Sequence, residues 1–246
     1  METRINFMGV EEVRDEISIT ETLKIDKNQY PAEREILDIH THHTAPQARA
    51  VISLRVGGEQ TLPVIETGQA YSAGIHPWDT VNEIPEAEWN RLENLATLPQ
   101  VVAIGEAGVD LNLSGGALFR QMQVFKRQIL LSEKLLKPMV IHNVKGTDII
   151  VGLKKDLKPK QHWAIHGFRG KPEVAYMLRR PGIYFSFGAV FNADTLRDMP
   201  DELILAETDE SDQTIKEVIA SISEGKGRDM TSTIAYNTRK FLEPQI

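Results

Sequence analysis

Eight short apolar segments recur along the chain, and they constrain its fold more than any other feature. They cover residues 36–40, 50–54, 70–75, 101–105, 138–142, 163–167, 183–187 and 203–207. Several are apolar almost throughout, which is typical of parallel strands covered on both faces. Helical patterns separate most of them. Strands that alternate with helices in this way predict an α/β fold, a closed (β/α)8 TIM barrel, with an open doubly wound sheet as the alternative.

The helical patterns are clearest over residues 117–136, where apolar side chains recur on one face at a spacing near 3.6 residues. Others cover residues 85–98, 147–157, 172–180, 212–223 and 230–242. The first crossover, residues 41–49, is too short for a helix, so a loop alone must make that parallel connection.

The domain organisation follows from what the sequence lacks. No internal repeat, low-complexity run or Pro/Gly/Ser-rich linker divides the chain, so residues 35–246 are expected to form a single barrel domain. Residues 1–34 are an N-terminal extension, in which residues 18–25 suit either an edge strand or a solvated arm.

Composition excludes several classes of function. The chain has no cysteine, which rules out a disulfide framework, a zinc finger, an iron–sulfur cluster and a thiol nucleophile. Any metal must therefore bind to nitrogen and oxygen. The formal net charge of -7 disfavours a broad electrostatic interface with nucleic acid, although a small site could bind a few phosphates. Without a signal peptide or a long apolar run, the chain is expected to be soluble, cytoplasmic and not membrane-bound.

Metal-ligand residue types follow five of the eight predicted strands. In a parallel barrel the carboxyl ends of the strands share one face, where catalytic groups gather. Because strand side chains alternate, His40 and His42 point the same way and can share one cation, whereas His43 faces the other way and is expected to be a loop histidine. The pattern predicts metal ligands at His40, His42, Glu106, His142, His166 and Asp209.

Six segments together resemble one known family. They are Asp38-Ile-His-Thr-His42, Gly74-Ile-His-Pro77, Ile104-Gly-Glu-Ala-Gly-Val-Asp110, Pro138-Met-Val-Ile-His142, Ile165-His-Gly-Phe-Arg-Gly170 and Glu207-Thr-Asp209. In this order and spacing they are similar to the TatD family of metal-dependent deoxyribonucleases. The resemblance implies a TIM barrel of the metal-dependent hydrolase type, with the same six residues as ligands.

The chemistry expected of such a site is two-metal activation of water. Six ligands suffice for two divalent cations, which we leave open between Mg, Mn and Zn, and Glu106 is the natural bridge because a carboxylate has two oxygens to share. Asp209 is expected to orient the attacking water and accept its proton. Glu106 and Asp209 are therefore the predicted catalytic residues.

Substrate contacts are predicted at His76, Arg169 and Lys145. His76 suits a substrate contact, a hydrogen bond to a ligand or a structural role equally well, and Lys145 stands where many members of the family have arginine. The aromatic residues Trp78 and Phe168 suit either stacking on a base or covering apolar surface. The segment after Asp209 passes directly into a helical pattern, where the family usually has a Pro-rich loop that shapes the substrate cleft.

The function hypothesis is cleavage of phosphodiester bonds, as a deoxyribonuclease or exonuclease on DNA ends or single strands. One alternative keeps the metals but hydrolyses a non-nucleic ester, amide or lactone. Another is a non-catalytic metal-binding scaffold, which retention of both Glu106 and Asp209 disfavours. The oligomeric state is left open, with a monomer favoured.

Overall fold

Eight parallel strands close into a barrel in the computed structural model of the chain, which describes residues 36–44, 50–58, 62–113 and 117–246. Each strand pairs in parallel with the next, and β8 pairs with β1. The predicted TIM barrel is confirmed, and the open sheet is wrong. The strands are β1 (Asp38–Thr41), β2 (Ala50–Arg55), β3 (Ala70–Gly74), β4 (Val101–Asp110), β5 (Met139–Val144), β6 (Trp163–Ile165), β7 (Tyr184–Phe187) and β8 (Ile204–Ala206).

Helices follow the strands as the helical patterns predict. The α-helices of the described residues are α1 (Glu86–Thr97), α2 (Ala117–Leu135), α3 (Thr147–Leu157), α4 (Pro172–Arg179), α5 (Ala193–Asp198), α6 (Ile215–Lys226) and α7 (Thr231–Leu242). A 3-10 helix, Pro77–Val81, follows β3. The short helix α5 is absent from the prediction, because six residues give too little periodicity; the Asn192 side chain caps it by accepting a hydrogen bond from the Thr195 amide.

Two apolar clusters hold the barrel together. The larger cluster packs one set of strand residues against the helices. The ring of Trp163 in β6, for example, contacts that of Phe125 in α2. The smaller cluster consists largely of strand residues that alternate with that set, and it therefore faces the barrel interior. Its members include Val51, Ala70, Val102, Val140, Ala164 and Leu205, together with Phe241 and Leu242 of α7.

Most boundaries lie within one or two residues of those predicted, and the largest differences concern β4 and α6. Strand β4 runs to Asp110 and not to residue 105, because its glycines permit a close approach to β5. Gly108 has φ 147°, and a Cβ there would collide with the carbonyl oxygen of His142. Helix α6 begins three residues later than predicted, because Thr214 and Glu217 form a capping box that fixes its first turn.

Some expectations fall outside the described residues. The N-terminal extension, residues 1–34, and the segment 18–25 within it belong there, so the single-domain division stays a prediction. The first crossover joins parallel strands as expected, since Asp38 pairs with Ala50. Its residues 45–49 also lie outside the described residues. In the part of the chain that the structure describes, no helix has both the length and the apolar character needed to cross a membrane.

Candidate metal centre

The first and last strands bring His40, His42 and Asp209 to the carboxyl-terminal face of the barrel. Beyond β8 the chain makes one further bridge to β1, between Thr41 and Asp209. The amide of His42 donates to the carbonyl of Asp209 (3.1 Å), and the amide of Asp209 donates to the carbonyl of His40 (3.0 Å). Two backbone hydrogen bonds therefore hold these three residues side by side, although 167 or more positions separate Asp209 from the two histidines along the chain.

Glu106, in β4, lies at the centre of the cluster. Its Oε1 faces three imidazoles: Nε2 of His166 at 2.6 Å, Nδ1 of His142 at 2.8 Å and Nε2 of His76 at 3.2 Å. His166 directly follows β6, His142 lies within β5, and His76 stands two residues after β3. One carboxylate oxygen is thus shared among side chains from three further strands.

The other oxygen of Glu106 faces the β1 side of the barrel. Its Oε2 lies 3.6 Å from Nε2 of His40 and 3.5 Å from Nε2 of His42. Asp209 Oδ1 lies 3.7 Å and 3.6 Å from the same two nitrogens. Donors that each bind one cation at about 2.1 Å stand roughly 3 to 4 Å apart, so this spacing suits a shared ion better than direct hydrogen bonds.

Burial and charge set the protonation of the cluster. Burial opposes ionisation of Glu106, but the charge of His166 and hydrogen bonds from His142 and His166 hold its pKa well below its usual range. Burial would lower the pKa of His166, yet the adjacent Glu106 carboxylate raises it well above the ordinary value. Burial, reinforced by the charge of His166, lowers the pKa of His40. His40 is therefore neutral at pH 7, which is the form that binds metals.

Several buried histidine nitrogens in the cluster have no hydrogen-bond partner among the described residues, which indicates whether the cluster fits a metal. His40 is fully buried, and neither of its ring nitrogens has a hydrogen-bond partner among the described residues. The buried Nε2 of His142 also lacks one. Such groups are costly unless satisfied, and a cation would satisfy them. Potential ligand atoms lie within 4.8 Å of one another in three sets: His40, His42 and Glu106; His40, His166 and Asp209; His76, Glu106 and His142.

Glu207 supports the cluster from beneath, a role that the sequence did not reveal. It is fully buried; its Oε1 accepts a hydrogen bond from the Gly167 amide (2.5 Å) and lies 3.6 Å from Nδ1 of His166. Burial raises its pKa. Its place in the segment Glu207-Thr-Asp209, at the end of the eighth predicted strand, was the available signal.

Asp38 has the matching role beneath β1. It accepts hydrogen bonds from the amides of His40 (3.2 Å) and Thr208 (3.1 Å), and from the Thr208 hydroxyl (2.7 Å). Burial raises its pKa to about 7 in spite of these bonds. Asp38 therefore ties the strand that bears His40 to the segment that bears Asp209.

The predicted substrate residues divide into two groups. His76 lies within the cluster, where its Nδ1 accepts a hydrogen bond from the Trp78 amide (3.1 Å). Lys145 and Arg169 are exposed, directly after β5 and three residues after His166 respectively. The base-stacking option for Phe168 is wrong: it is 5% exposed and packs edge-on against Phe185 at 4.8 Å.

His43 and Asp110 both contact backbone groups of nearby loops. His43 is exposed, as predicted, and its Nε2 lies 2.9 Å from the Ser211 carbonyl oxygen. Asp110 contacts both the cluster and the following loop. Its Oδ2 lies 3.6 Å from Nε2 of His142, while its Oδ1 accepts a hydrogen bond from the Asn112 amide (2.9 Å) and caps the loop.

Two known proteins are similar to about half of this chain. A Bacillus subtilis protein, the uncharacterized metal-dependent hydrolase YabD, is 31% identical over 144 residues, which are 55% of this chain and 56% of that protein. The 3′-5′ ssDNA/RNA exonuclease TatD of Erwinia tasmaniensis is 33% identical over 127 residues, 46% of this chain and 49% of the relative. The matched regions thus span about half the length of these relatives.

Structural and family comparisons cover more of the chain. The solved structure of YJJV, a TatD homologue from Escherichia coli, superposes with a TM-score of 0.70 and 18% identity over 84% of this chain and 97% of that one, which shows the same fold. The sequence pattern of the family described as TatD related DNase matches residues 32–242. The chain therefore belongs to the TatD-related DNase family.

Proposed function

We propose that the chain is a metal-dependent phosphodiesterase that trims single-stranded DNA or DNA ends. The observation that carries this proposal is the division of Glu106, whose Oε1 faces His142 and His166 while its Oε2 faces His40 and His42. One carboxylate between two groups of imidazoles suits a pair of cations with a shared ligand. The Erwinia relative, named as an exonuclease on ssDNA and RNA, supports the substrate class.

His40, His42 and Asp209 would hold one cation and His142 and His166 the other, with Glu106 shared. Magnesium, manganese or zinc bound here would supply a Lewis acid for water and for the charge on phosphate oxygens. His76, also within reach of Glu106, is a further candidate donor.

We assign the general base to Asp209 and not to Glu106. Glu106 is only 7% exposed in its side chain, and imidazoles surround both of its oxygens, so it has no position for a proton. The Asp209 side chain is 27% exposed, so it can meet a water molecule and return its proton to solvent. In the reaction, water oxygen attacks phosphorus, and Asp209 takes the proton of the water and returns it to solvent. The bond from phosphorus to the sugar oxygen breaks, and the departing sugar oxygen takes a proton from solvent.

The experiment compares wild type with Asp209→Asn on end-labelled single-stranded DNA, with each of several divalent cations. We expect stepwise trimming by wild type, two bound metals per chain by elemental analysis, and a loss of roughly 100- to 10,000-fold in kcat for the variant, as expected for a general base. Glu210→Gln, at the exposed neighbouring position, is the matched control and should retain full activity.

Two outcomes would overturn the proposal. Wild type that binds two metals but trims no oligonucleotide with any cation is not a nuclease. Hydrolysis of a non-nucleic ester, amide or lactone that inorganic phosphate scarcely inhibits would replace the phosphodiesterase assignment with the alternative, because a phosphodiester site should bind free phosphate competitively.

A further inference from the structure

Trp78 exposes its indole beside the candidate metal centre. It is 51% exposed, whereas the other two tryptophans of the chain, Trp89 and Trp163, are 5% and 0% exposed. Its ring lies 4.6 Å from that of His76 and 6.0 Å from that of His142, measured between centroids. A large aromatic surface is thus open to solvent at the same face of the barrel as the metal ligands.

Several contacts hold this indole in place. Its Nε1 donates to Oδ2 of Asp110 at 2.8 Å, and its backbone amide donates to the ring of His76 at 3.1 Å. Trp78 also lies in the first turn of the 3-10 helix that follows β3, directly after Pro77, which fixes the backbone. An exposed tryptophan held in this way is a rigid surface and not a mobile side chain.

Arg55, the last residue of β2, stands next to the indole. Its guanidinium carbon lies 5.6 Å from the ring centroid, within the range of a cation–π contact. Asp79 orients this guanidinium, because its carboxylate accepts from Nε at 2.9 Å and from Nη2 at 2.5 Å. Gly57 leaves room for Asp79, since a Cβ there would lie 2.5 Å from its Oδ2.

We propose that Trp78, with Arg55 beside it, is a stacking platform for the unpaired base of the nucleotide next to the bond that is cleaved. The proposal rests on the nuclease function and names what the site recognises. One nucleotide could place its phosphate at the metal ligands and its base on the indole, because the His142 ring is only 6.0 Å from the indole centroid. Stacking tolerates any base, since every base has a π-face.

The charge balance of the chain makes such a platform useful. With a formal net charge of -7, the protein has little long-range attraction for a polyanion. Stacking of an unpaired base supplies binding free energy that does not depend on many phosphate contacts. Such a platform favours single strands and ends over duplex DNA, because a paired base inside a duplex has no free face.

The test pairs a protein change with a substrate change. Wild type and Trp78→Ala are compared on single-stranded oligonucleotides that carry either a normal or an abasic nucleotide at the end being trimmed. For the normal end, we expect the Ala variant to raise KM by roughly 5- to 150-fold, the range of base–aromatic stacking, with a smaller change in kcat. For the abasic end, the two proteins should have equal KM. Trp78→Phe, which keeps a ring but loses the bond to Asp110, should retain most of the preference for a base.

Tyr236 offers a matched control. It is 52% exposed on α7, and the guanidinium carbon of Arg239 lies 5.4 Å from its ring, so it reproduces the exposed aromatic–arginine pair at another place. Tyr236→Ala should leave KM unchanged for both substrates. If Trp78→Ala instead raises KM equally for normal and abasic ends, its effect is structural and the stacking platform is wrong.

A binding measurement separates this proposal from the nuclease assignment. Because Trp89 and Trp163 are buried, quenching of tryptophan fluorescence by an oligothymidylate should report on Trp78. Asp209→Asn, used to keep the DNA intact, should be quenched by the oligothymidylate and much less by an oligonucleotide with an abasic end. If the oligothymidylate quenches the fluorescence but wild type cleaves no DNA, Trp78 stacks a base and the nuclease assignment is wrong. If wild type cleaves DNA but the quenching does not depend on the terminal base, the nuclease assignment stands and the stacking platform is wrong.

Discussion

Nδ1 of His166 lies 3.6 Å from Oε1 of Glu207, a carboxylate with no exposed surface. The opposite nitrogen of the same ring, Nε2, lies 2.6 Å from Glu106. A buried carboxylate behind a histidine fixes the orientation of the ring and makes its other nitrogen a better ligand. Glu207 is therefore placed to position His166 for a metal without touching the metal itself.

This relationship predicts that Glu207→Gln weakens metal binding while the protein stays folded. The Gln oxygen can still accept from the Gly167 amide, but the negative charge behind His166 is lost. We expect a decrease of about 10- to 100-fold in metal affinity, the usual effect of removing such a partner. Isothermal titration with Mn²⁺ measures it, and Glu202→Gln, an exposed position ahead of β8, is the control. Unchanged affinity would show that Glu207 only anchors Gly167.

The positions of the six candidate ligands could be read from the sequence because they depend on two local rules. Side chains alternate along a strand, and the carboxyl ends of parallel strands share one face, so His40, His142 and Asp209 were expected to meet. The count of eight segments favours a closed barrel but leaves an open sheet as the alternative, and the pairing of β8 with β1 decides between them. Strand limits are harder to predict: the apolar segment 101–105 predicts an end at Gly105, whereas β4 runs on to Asp110.

Contacts between distant residues were not predictable in the same way. Arg55 and Asp79 are 24 positions apart, and Glu207 and Gly167 are 40 apart. No periodicity links such pairs, because only the packing of separate strands and loops brings them together. Phe168 shows the same limit: its burial against Phe185 depends on how the loop after β6 folds back over the next strand.

The capping box formed by Thr214 and Glu217 should contribute measurably to the free energy of unfolding. The Thr214 hydroxyl accepts from the Glu217 amide at 3.3 Å, and Glu217 accepts from the Thr214 amide at 2.7 Å. Because these bonds satisfy two amides at the start of α6, Thr214→Ala should lower the free energy of unfolding by about 1 kcal/mol. Urea denaturation checks this, with Ser232→Ala, an exposed position in α7, as the control. Equal stability of the two variants would contradict a capping role.

Metal removal should destabilise the protein, because the buried nitrogens of His40 then have no partner. A ligand present at 100 times its Kd adds about 2.7 kcal/mol to the free energy of unfolding. For a chain of this size that corresponds to a rise in Tm of roughly 5–10 °C. Differential scanning fluorimetry with chelator and then with excess Mn²⁺ measures the shift. His40→Ala should abolish most of it, and a full shift in that variant would place the bound metal elsewhere.

The lowered pKa of Asp201 predicts that the free energy of unfolding depends on pH. Hydrogen bonds from Arg228, and next from Lys226, lower this pKa below 3.8, so the native state holds the ionised form more strongly than the unfolded chain does. A lowered carboxyl pKa contributes stability that is fully present above about 3.8 and is lost as the pH falls through the lower native value. Asp201→Asn should therefore be less stable than wild type at pH 7, and the difference should shrink toward pH 3. Urea unfolding of both proteins at several pH values checks this prediction. Arg228→Gln should show the same trend. If the difference in stability between wild type and Asp201→Asn is constant with pH, Asp201 acts through packing alone.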